Sequence, residues 1–306
     1  MTTVAVLGTG RMGSAMARSL ARAGVSLVLW NRSTASASAL AGEVGARLAA
    51  TPAEAAAAAD VTITMLADDA AVRAVFGGPD GLVRGARAGS VLVDMSTVLP
   101  DTIRTLEGAT RAAGAGLLDA PVSGSVGLAE AGGLTIMVGG DAEDLERARP
   151  ALEPLAKTIV HVGPLGAGAA MKLAVNTVVF GLNQAIAEAL VLAEAAGIDR
   201  AIAYDVIAAS AVGAPFVGYK RAAFLDPETT AVAFALNLAE KDLGLIAGLA
   251  AQLGVPTPQS AVNLEQVRAA AARGRGGRDF ASVAEELRSR AGRSPAEPGG
   301  QAAMED

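Results

Sequence analysis

Short runs of consecutive apolar residues alternate with longer Ala-, Leu- and Arg-rich stretches through the first half of this 306-residue chain. The apolar runs cover residues 4–8, 26–30, 61–66, 90–94, 134–138 and 158–162. The longer stretches, which have helical composition, cover residues 12–23, 52–59, 69–76 and 100–113. Continuous apolarity is typical of strands that are covered on both faces, as in a parallel sheet. The alternation therefore predicts repeated βαβ units and a doubly wound α/β sheet.

The second half of the chain has a different character. Residues 167–196 contain no proline and only three charged side chains, and as one helix they would be about 45 Å long. The remainder is Ala- and Leu-rich and shows no comparable strand pattern. We predict a sheet domain over residues 1–163 and an all-helical domain over residues 164–291, joined through the long helix. Residues 292–306 are short, polar and Pro/Gly-rich, which predicts a disordered tail.

Composition excludes several function classes. The chain has no cysteine and one histidine, His161, so it cannot build a thiolate nucleophile, a zinc–thiolate site or a multi-histidine metal site. A net charge of −6 argues against nucleic-acid binding through bulk charge. The longest uncharged stretch, residues 173–187, is shorter than the roughly 20 residues that a membrane span needs. We expect a cytoplasmic protein without metal, membrane or nucleic-acid partners.

A glycine-rich segment lies between the first predicted strand and the first predicted helix. Gly8, Gly10 and Gly13 fit the G-x-G-x-x-G pattern in the context that dinucleotide binding requires. In that role the first glycine allows a tight turn, the second lets a pyrophosphate approach the backbone, and the third lets helix and strand pack closely. The helix start at Arg11 and Met12 offers N–H groups to the phosphates. The alternative is an ordinary βα turn in a glycine-rich protein.

The end of the second predicted strand indicates which dinucleotide binds. An acidic residue normally grips the ribose 2′-hydroxyl about 20 residues beyond the glycine motif, but this chain has Asn31, Arg32, Ser33 and Thr34 there. A neutral amide beside a guanidinium suits a 2′-phosphate, so the sequence favours NADP over NAD. The two hydroxyl residues add donors or simply cap the next helix.

Lys172 is the candidate catalytic residue. It is one of four lysines among 25 basic residues, and none of its neighbours three or four positions away along the predicted helix is acidic. A lysine that reaches into an apolar cleft is readily desolvated, which prepares it to give or take a proton. Asn176, one turn later, shares its helix face and can hold the amine or the substrate. The alternative is a lysine snorkelling from a partly buried helix.

Two polar segments follow predicted strands, where open α/β sheets bind ligands. Ser123 and Gly124 offer a hydroxyl and a backbone N–H that suit a carboxylate, and Thr97 lies after the strand at residues 90–94. A turn with a capping serine is the alternative for the first segment.

Together these segments resemble the β-hydroxyacid dehydrogenases, the group of 3-hydroxyisobutyrate dehydrogenase and glyoxylate/succinic semialdehyde reductase, in the 6-phosphogluconate dehydrogenase-like superfamily. The motifs occur in order up to about residue 291. They are the glycine motif, Asp94-Met-Ser-Thr97, Asp119-Ala-Pro-Val-Ser-Gly124, Leu134-Thr-Ile-Met-Val-Gly-Gly140, Gly166-x-Gly-x-x-x-Lys172-x-x-x-Asn176 and Phe234-x-x-x-Leu-x-x-Lys241-Asp242.

The resemblance implies an N-terminal Rossmann domain, an all-helical domain that assembles dimers or tetramers, and hydride transfer to a small carboxylic-acid substrate with Lys172 as the acid/base. It implies substrate contacts from Ser123, Gly124, Asn176, Phe234 and Asp242. We predict cofactor contacts from Gly8, Gly10, Arg11, Met12, Gly13, Asn31, Arg32, Ser33, Leu66, Thr97 and Lys241.

Two departures from the family pattern concern the substrate. The substrate loop usually reads Ser-Gly-Gly, and here its third residue is Ser125; a single asparagine follows the lysine where hydroxyisobutyrate enzymes tend to have two. The single asparagine and the NADP preference resemble the semialdehyde reductase branch. An NADPH-dependent imine reductase and a non-catalytic dinucleotide-binding scaffold are the alternatives. Lys172 argues against both alternatives. Imine reductases usually have Asp or Tyr, rather than Lys, near the proton-donor position, and a non-catalytic scaffold does not need the lysine.

Overall fold

A computed structural model describes residues 2–293 of the chain. These residues form two compact units, one that ends at Ala174 and one that begins at Val175. The division falls inside a single helix, so the domain limits at residues 163/164 stay a prediction. Most of the predicted tail, residues 294–306, lies outside the described residues.

Strands and sheet define the first unit. Within residues 2–293 the strands are β1 (Thr3–Leu7), β2 (Ser26–Trp30), β3 (Arg47–Leu48), β4 (Val61–Thr64), β5 (Val91–Asp94), β6 (Gly116–Asp119), β7 (Val122–Ser123), β8 (Leu134–Gly140) and β9 (Ala156–Gly163). The helices of this unit are α1 (Arg11–Arg22), α2 (Thr34–Val44), α3 (Pro52–Ala57), α4 (Asp69–Gly77), α5 (Leu82–Gly85), α6 (Pro100–Ala112), α7 (Val126–Glu130) and α8 (Ala142–Leu152).

The sheet has the doubly wound arrangement that the sequence predicts. Its order is β3-β2-β1-β4-β5-β6-β8-β7, with β9 beside β8, and the first six of these strands are parallel. The order β3-β2-β1-β4-β5-β6 is that of a dinucleotide-binding sheet. One edge differs from a purely parallel sheet, because β8 runs antiparallel to β6 and β7. Only the five-residue α7 lies between β7 and β8, and so short a connection favours antiparallel pairing.

Alternate residues of the central strand point into two different cores. Val4 and Val6 pack with residues of α1 and α8 on one face. Ala5 and Leu7 pack with residues of α3, α4 and α6 on the other face. Because both faces of the sheet are covered, the strands are apolar throughout rather than alternating. The predicted strand and helix limits agree with those observed to within two residues. Helices α2, α5, α7 and α8 lie outside the predicted ranges.

Helix α9 (Ala167–Ala195) is the predicted long helix, and it belongs to both units. It ends at Ala195, and Gly197 follows with a φ of +84° that is readily reached only without a side chain. By length and composition it is also the one helix among residues 2–293 that could cross a membrane. Its Asn176 and Asn183 are nevertheless buried and hydrogen-bonded within the second unit. We therefore assign α9 as the core helix of that unit.

The second unit is helical in the part of the chain that the structure describes, as predicted. After α9 it contains α10 (Arg200–Ala209), α11 (Pro215–Leu225), α12 (Leu236–Leu253), α13 (Pro258–Ala270) and α14 (Val283–Arg290). Its core includes a cluster of aromatic rings centred on Phe280, which lies within 6 Å of the ring centroids of Phe180, Phe216 and Phe234.

Candidate active site

The carboxyl ends of the parallel strands form one edge of the sheet. Their last residues are in register across it, in the order Trp30, Leu7, Thr64, Asp94 and Asp119. The loops that follow these strands carry the residues that we predict to contact the cofactor in this unit. The fold therefore gathers these residues at the edge where open α/β sheets bind their ligands.

The three motif glycines have different reasons to be glycine. Gly8 has a φ of +98°, and a Cβ there would overlap the carbonyl oxygen of Met65. A Cβ on Gly13 would overlap the carbonyl oxygen of Gly8, so this glycine lets α1 pack against the loop. A Cβ on Gly10 would meet nothing within 4 Å. Since the protein itself does not need a glycine at position 10, the space above it fits the close approach of a pyrophosphate.

Asn31 ties the end of β2 to the glycine loop. Its Oδ1 accepts a hydrogen bond from the N–H of Thr9 at 3.2 Å, and its Nδ2 donates to Ser36 Oγ at 3.0 Å and to the carbonyl of Ser33 at 3.2 Å. An aspartate could accept the first bond but could not donate the other two. The asparagine therefore holds three segments of the predicted cofactor site together.

A pocket of about 460 Å³ opens beside this asparagine. It is lined by Trp30, Asn31, Arg32, Thr34, Leu48, Ala49 and Ala50. Arg32 is exposed and has no acidic or hydrogen-bonding partner among residues 2–293. The apolar side chains and the indole ring of Trp30 suit an adenine base, and the guanidinium of Arg32, unpaired among the described residues, suits a phosphate on the adenosine ribose. These residues therefore fit the dinucleotide that the glycine loop predicts.

A buried carboxylate supports the loop after β4. Asp94 Oδ1 accepts hydrogen bonds from Thr64 Oγ1 at 2.6 Å and from Ser96 Oγ at 2.8 Å. Ser96 Oγ in turn accepts from the N–H of Leu66 at 2.9 Å. Burial raises the pKa of Asp94 to about 6, although these two hydrogen bonds oppose the shift. The network fixes the backbone of Leu66, and the half-buried Thr97 lies in the next loop of the same edge.

The predicted substrate loop follows β6. Ser123 ends β7, and Gly124 has a φ of +146°, where a Cβ would crowd Leu134. Ser125, which departs from the family pattern, is the N-cap of α7, and its Oγ accepts from the N–H of Leu128 at 3.3 Å. The departure thus has a local reason, since the serine hydroxyl accepts an N–H group at the start of α7 and a glycine has no side chain to do so.

The start of α9 is fixed by a side chain from the end of β6. Asp119 Oδ1 accepts from the N–H of Gly166 at 2.7 Å, and its Oδ2 accepts from the N–H of Ala169 at 2.6 Å. Burial raises the pKa of Asp119, while these backbone bonds and the charge of Arg104 lower it. Lys172, half-buried, follows Ala169 by three residues.

In the second unit, three of the predicted site residues lie together. Asn176 Nδ2 donates to Asp242 Oδ2 at 2.9 Å, and both side chains are buried. The ammonium of Lys241 lies 2.8 Å from the other oxygen of Asp242. Asp242 therefore orients the amide of Asn176 and the amine of Lys241 at once.

Phe234 is held by its backbone as well as by its ring. Its N–H and that of Ala233 donate to Asp279 Oδ2 at 3.2 Å and 3.1 Å, and its carbonyl accepts from the N–H of Phe280 at 3.0 Å. Its ring centroid lies 6.2 Å from that of Phe180. The segment before α12 is therefore anchored to the segment before α14.

Three buried carboxylates that support the candidate site are absent from the residues predicted to form it: Asp94, Asp119 and Asp279. Each accepts backbone or hydroxyl hydrogen bonds rather than facing solvent. Asp94 and Asp119 could have been found from the sequence, because each is a charged residue at the end of an apolar strand. A carboxylate buried there must have hydrogen-bond partners. Asp279 caps the next turn through the N–H of Ala281, but its contacts to the candidate site offer no such signal, because those partners lie 45 or more residues away.

Family models match both halves of the chain. The model of the NAD binding domain of 6-phosphogluconate dehydrogenase matches residues 3–163. The model described as NAD-binding of NADP-dependent 3-hydroxyisobutyrate dehydrogenase matches residues 166–287. The chain belongs to the 3-hydroxyisobutyrate dehydrogenase family. The predicted resemblance to the β-hydroxyacid dehydrogenases is thereby confirmed, and so is the fold class.

Characterised relatives extend over nearly the whole chain. Glyoxylate/succinic semialdehyde reductase 2 of Arabidopsis thaliana is 34% identical over 94% of this chain and 79% of its own length. The 3-hydroxyisobutyrate dehydrogenase of Pseudomonas aeruginosa is 36% identical over 92% of this chain and 97% of its own. The NAD-dependent L-serine dehydrogenase of the same organism is 34% identical over 92% and 97%.

Solved structures show the same architecture. The Mycobacterium tuberculosis 3-hydroxyisobutyrate dehydrogenase with L-serine has a TM-score of 0.80 and 34% identity, and the match covers 94% of this chain and 99% of that one. An imine reductase from Pseudomonas sp. has a TM-score of 0.65 and 25% identity over 94% and 99%. The family consists of dinucleotide-dependent oxidoreductases that act on CH–OH groups of small hydroxy acids or on the matching aldehydes. Both NAD and NADP occur in the names of its members.

Proposed function

We propose that this chain is an NADPH-dependent reductase that interconverts a small hydroxy acid and the matching aldehyde or oxo acid, with Lys172 as general acid and base. The observation that carries the proposal is the position of Lys172 on α9, one turn before the buried Asn176. Residues four positions apart lie on the same face of a helix. An amine that can transfer a proton thus stands beside an amide whose orientation Asp242 fixes.

Lys172 supplies the proton that the reduction of a carbonyl group requires. In this direction its ammonium donates to the carbonyl oxygen as that oxygen gains negative charge. In the oxidative direction the neutral amine accepts the proton of the hydroxyl group. Acid–base help of this kind typically changes the rate by about 10²–10⁴. The bound nicotinamide cofactor supplies or accepts the hydride.

The remaining predicted residues hold the acid end of the substrate. Ser123 offers a hydroxyl and Gly124 a backbone N–H, and both groups bind carboxylates. By analogy with the family, we also assign substrate contacts to Asn176, Phe234 and Asp242. The names of the relatives fit this chemistry, because glyoxylate, succinic semialdehyde, 3-hydroxyisobutyrate and L-serine all pair a carboxylate with a nearby carbonyl or hydroxyl group.

The pocket at the end of β2 supports NADPH as the preferred cofactor. Gly8, Gly10 and Gly13, with the N–H groups of Arg11 and Met12, would hold the pyrophosphate. Arg32 would pair with the 2′-phosphate, assisted by the hydroxyl of Ser33. Leu66 and Thr97 would contact the cofactor nearer the nicotinamide, and by analogy with the family Lys241 is also assigned to the cofactor. An acidic residue in place of Asn31 would repel that phosphate, and none is there.

An imine reductase is the competing proposal. It shares the fold, but the structural similarity is lower than to the hydroxyisobutyrate enzyme. Lys172 and the Ser123-Gly124 loop favour an acid as the substrate, because a carboxylate needs donors. We further infer assembly as a homodimer or homotetramer, by analogy with the family, and a cytoplasmic location.

A spectrophotometric assay of cofactor consumption tests the proposal. The substrates are glyoxylate, succinic semialdehyde, methylmalonate semialdehyde, tartronate semialdehyde and a cyclic imine, each with NADPH and with NADH. We expect turnover of at least one of the four acids, faster with NADPH. Turnover of the imine alone would replace the proposal by imine reduction. Tight NADPH binding without turnover of any substrate would leave a dinucleotide-binding scaffold.

A further inference from the structure

Asp119 occupies an unusual place for a buried carboxylate. It is the last residue of β6 and is 1% exposed. Its two oxygens accept the N–H groups of Gly166 and Ala169, at the start of α9. These are among the first N–H groups of the helix, which have no partner inside the helix itself. The residue that would ordinarily cap this helix is Gly166, which has no side chain to do so.

The surroundings of Asp119 are built to admit the carboxylate. A Cβ on Gly139 would overlap Asp119 Oδ1, and a Cβ on Gly168 would overlap the carbonyl oxygen of Asp119. Glycines at both places therefore let β6, β8 and α9 approach closely. Arg104 lies over the same turn, and its Nε donates to the carbonyl of Leu165 at 3.2 Å.

Asp119 lies just before the Ser123-Gly124 loop in the chain, and it is hydrogen-bonded to the start of the helix that carries Lys172. Ser123 and Gly124 follow it by four and five residues. Lys172 follows Ala169 by three residues, so the turn that Asp119 caps is the turn that precedes the lysine. A negative charge at a helix N-terminus is also favoured by the helix dipole.

We propose that Asp119 is a positioning residue that sets Lys172 relative to the Ser123-Gly124 loop by capping α9. This inference rests on the proposed role of Lys172. Without the carboxylate, the first turn of α9 would lose two charge-assisted hydrogen bonds and would fray. The amine of Lys172 would then sample positions away from the substrate oxygen, and misplacement of about 1 Å can slow a reaction by about a hundredfold.

The test uses Asp119→Asn in the full chain. An asparagine oxygen can accept one N–H, but its NH₂ group would face the second N–H, so the cap is half lost. We expect faster hydrogen exchange at the amides of Gly166 and Ala169 and a fall in kcat of about tenfold or more. The Kd for NADPH should stay within about threefold of the wild-type value, because we assign NADPH binding to other residues.

Asp144→Asn is the matched control. Asp144 is equally buried, at 1% exposed, and pairs with Arg111 and Arg147 rather than with α9. Both variants should lower the urea midpoint, but only Asp119→Asn should lower kcat at equal concentrations of folded protein. Equal kcat values in the two variants, or unchanged exchange at Ala169, would overturn the proposal.

Arg104→Gln keeps the proposal testable if Asp119→Asn does not fold. Arg104 is about half exposed, and its loss removes the contact to Leu165, the exposed ion pair with Asp101 and the positive charge near the carboxylate. We expect kcat about threefold lower with an unchanged Kd for NADPH; an unchanged kcat would contradict the inference. A normal kcat in Lys172→Met would instead overturn the proposed function. If Lys172→Met loses turnover but Asp119→Asn keeps a normal kcat, only the inference about Asp119 is overturned.

Discussion

The ammonium of Lys220 lies 2.6 Å and 2.8 Å from the two carboxylate oxygens of Asp279, in the interior of the helical unit. The same amine sits 4.1 Å from the ring centroid of Phe280. Burial lowers the pKa of Lys220, and the charge of Asp279 opposes that shift. Because Asp279 also accepts the N–H of Phe234, the pair joins α11 to the segment that we propose to contact the substrate.

Removal of this amine should destabilise the protein strongly. Lys220→Met leaves a buried carboxylate without its counter-charge, a change that typically costs about 3–5 kcal/mol. Arg221→Met, next in the chain, breaks an exposed pair with Asp205 and should change the stability little. Urea unfolding measures both. A loss in Lys220→Met no larger than in Arg221→Met would show that the buried pair contributes nothing specific.

The glycine loop allows structure and binding to be separated. Gly13→Ala would force a Cβ into the carbonyl of Gly8, whereas Gly10→Ala meets open space. We expect Gly10→Ala to change stability by less than about 1 kcal/mol but to weaken NADPH binding by at least about tenfold. Gly13→Ala should lower both the melting temperature and the affinity. NADPH binding to Gly10→Ala at wild-type affinity would place the pyrophosphate elsewhere.

Arg32 should decide the cofactor preference. A hydrogen bond to a charged group is worth about 1.5–3 kcal/mol, so Arg32→Ala should raise the KM for NADPH by about tenfold or more and leave that for NADH unchanged. Arg84→Ala, on the exposed surface of α5, is the control for loss of one positive charge. A cofactor preference that is the same in wild type and Arg32→Ala would refute the assignment.

Asp94 should make the stability depend on pH. Its pKa is raised from 3.8 to about 6, so between these values the folded protein binds a proton that the unfolded chain has released. This contribution is complete below pH 4 and is lost as the pH rises to 6, by about 3 kcal/mol. In urea unfolding from pH 4 to 7, the stability of wild type minus that of Asp94→Asn should fall by this amount. A stability difference between wild type and Asp94→Asn that stays constant with pH would contradict the raised pKa of Asp94.

Local patterns were sufficient to predict the parts of this fold that depend on neighbours in the chain. Continuous apolar runs located β1, β2, β4 and β5, and the absence of proline located α9 to within one residue at its end. The glycine motif was predictable because its context, a strand followed by a helix, is itself local. Helices α2, α5, α7 and α8 were not predicted, and the last of them contains Pro150, a residue that normally ends a helix.

The contacts that organise the candidate site were not predictable in the same way. Asp119 caps α9 by accepting the N–H of Gly166, 47 residues later, and Asn176 meets Asp242 across 66 residues. No periodicity in a sequence encodes such pairs, because the sheet order and the helix packing decide them. The sequence placed Asn176 on the helix face of Lys172, could name Asp242 only through the family resemblance, and assigned no role to Asp119.

The turnover number of Lys172→Met tests the central claim most directly. Methionine keeps the length and apolar stem of lysine but cannot transfer a proton, so the NADPH affinity should stay near that of wild type while kcat falls by about 10²–10⁴. Lys157→Met, which removes an exposed lysine from β9, should leave kcat unchanged. Near-normal kcat in Lys172→Met, with the substrate found by the assay above, would contradict the account.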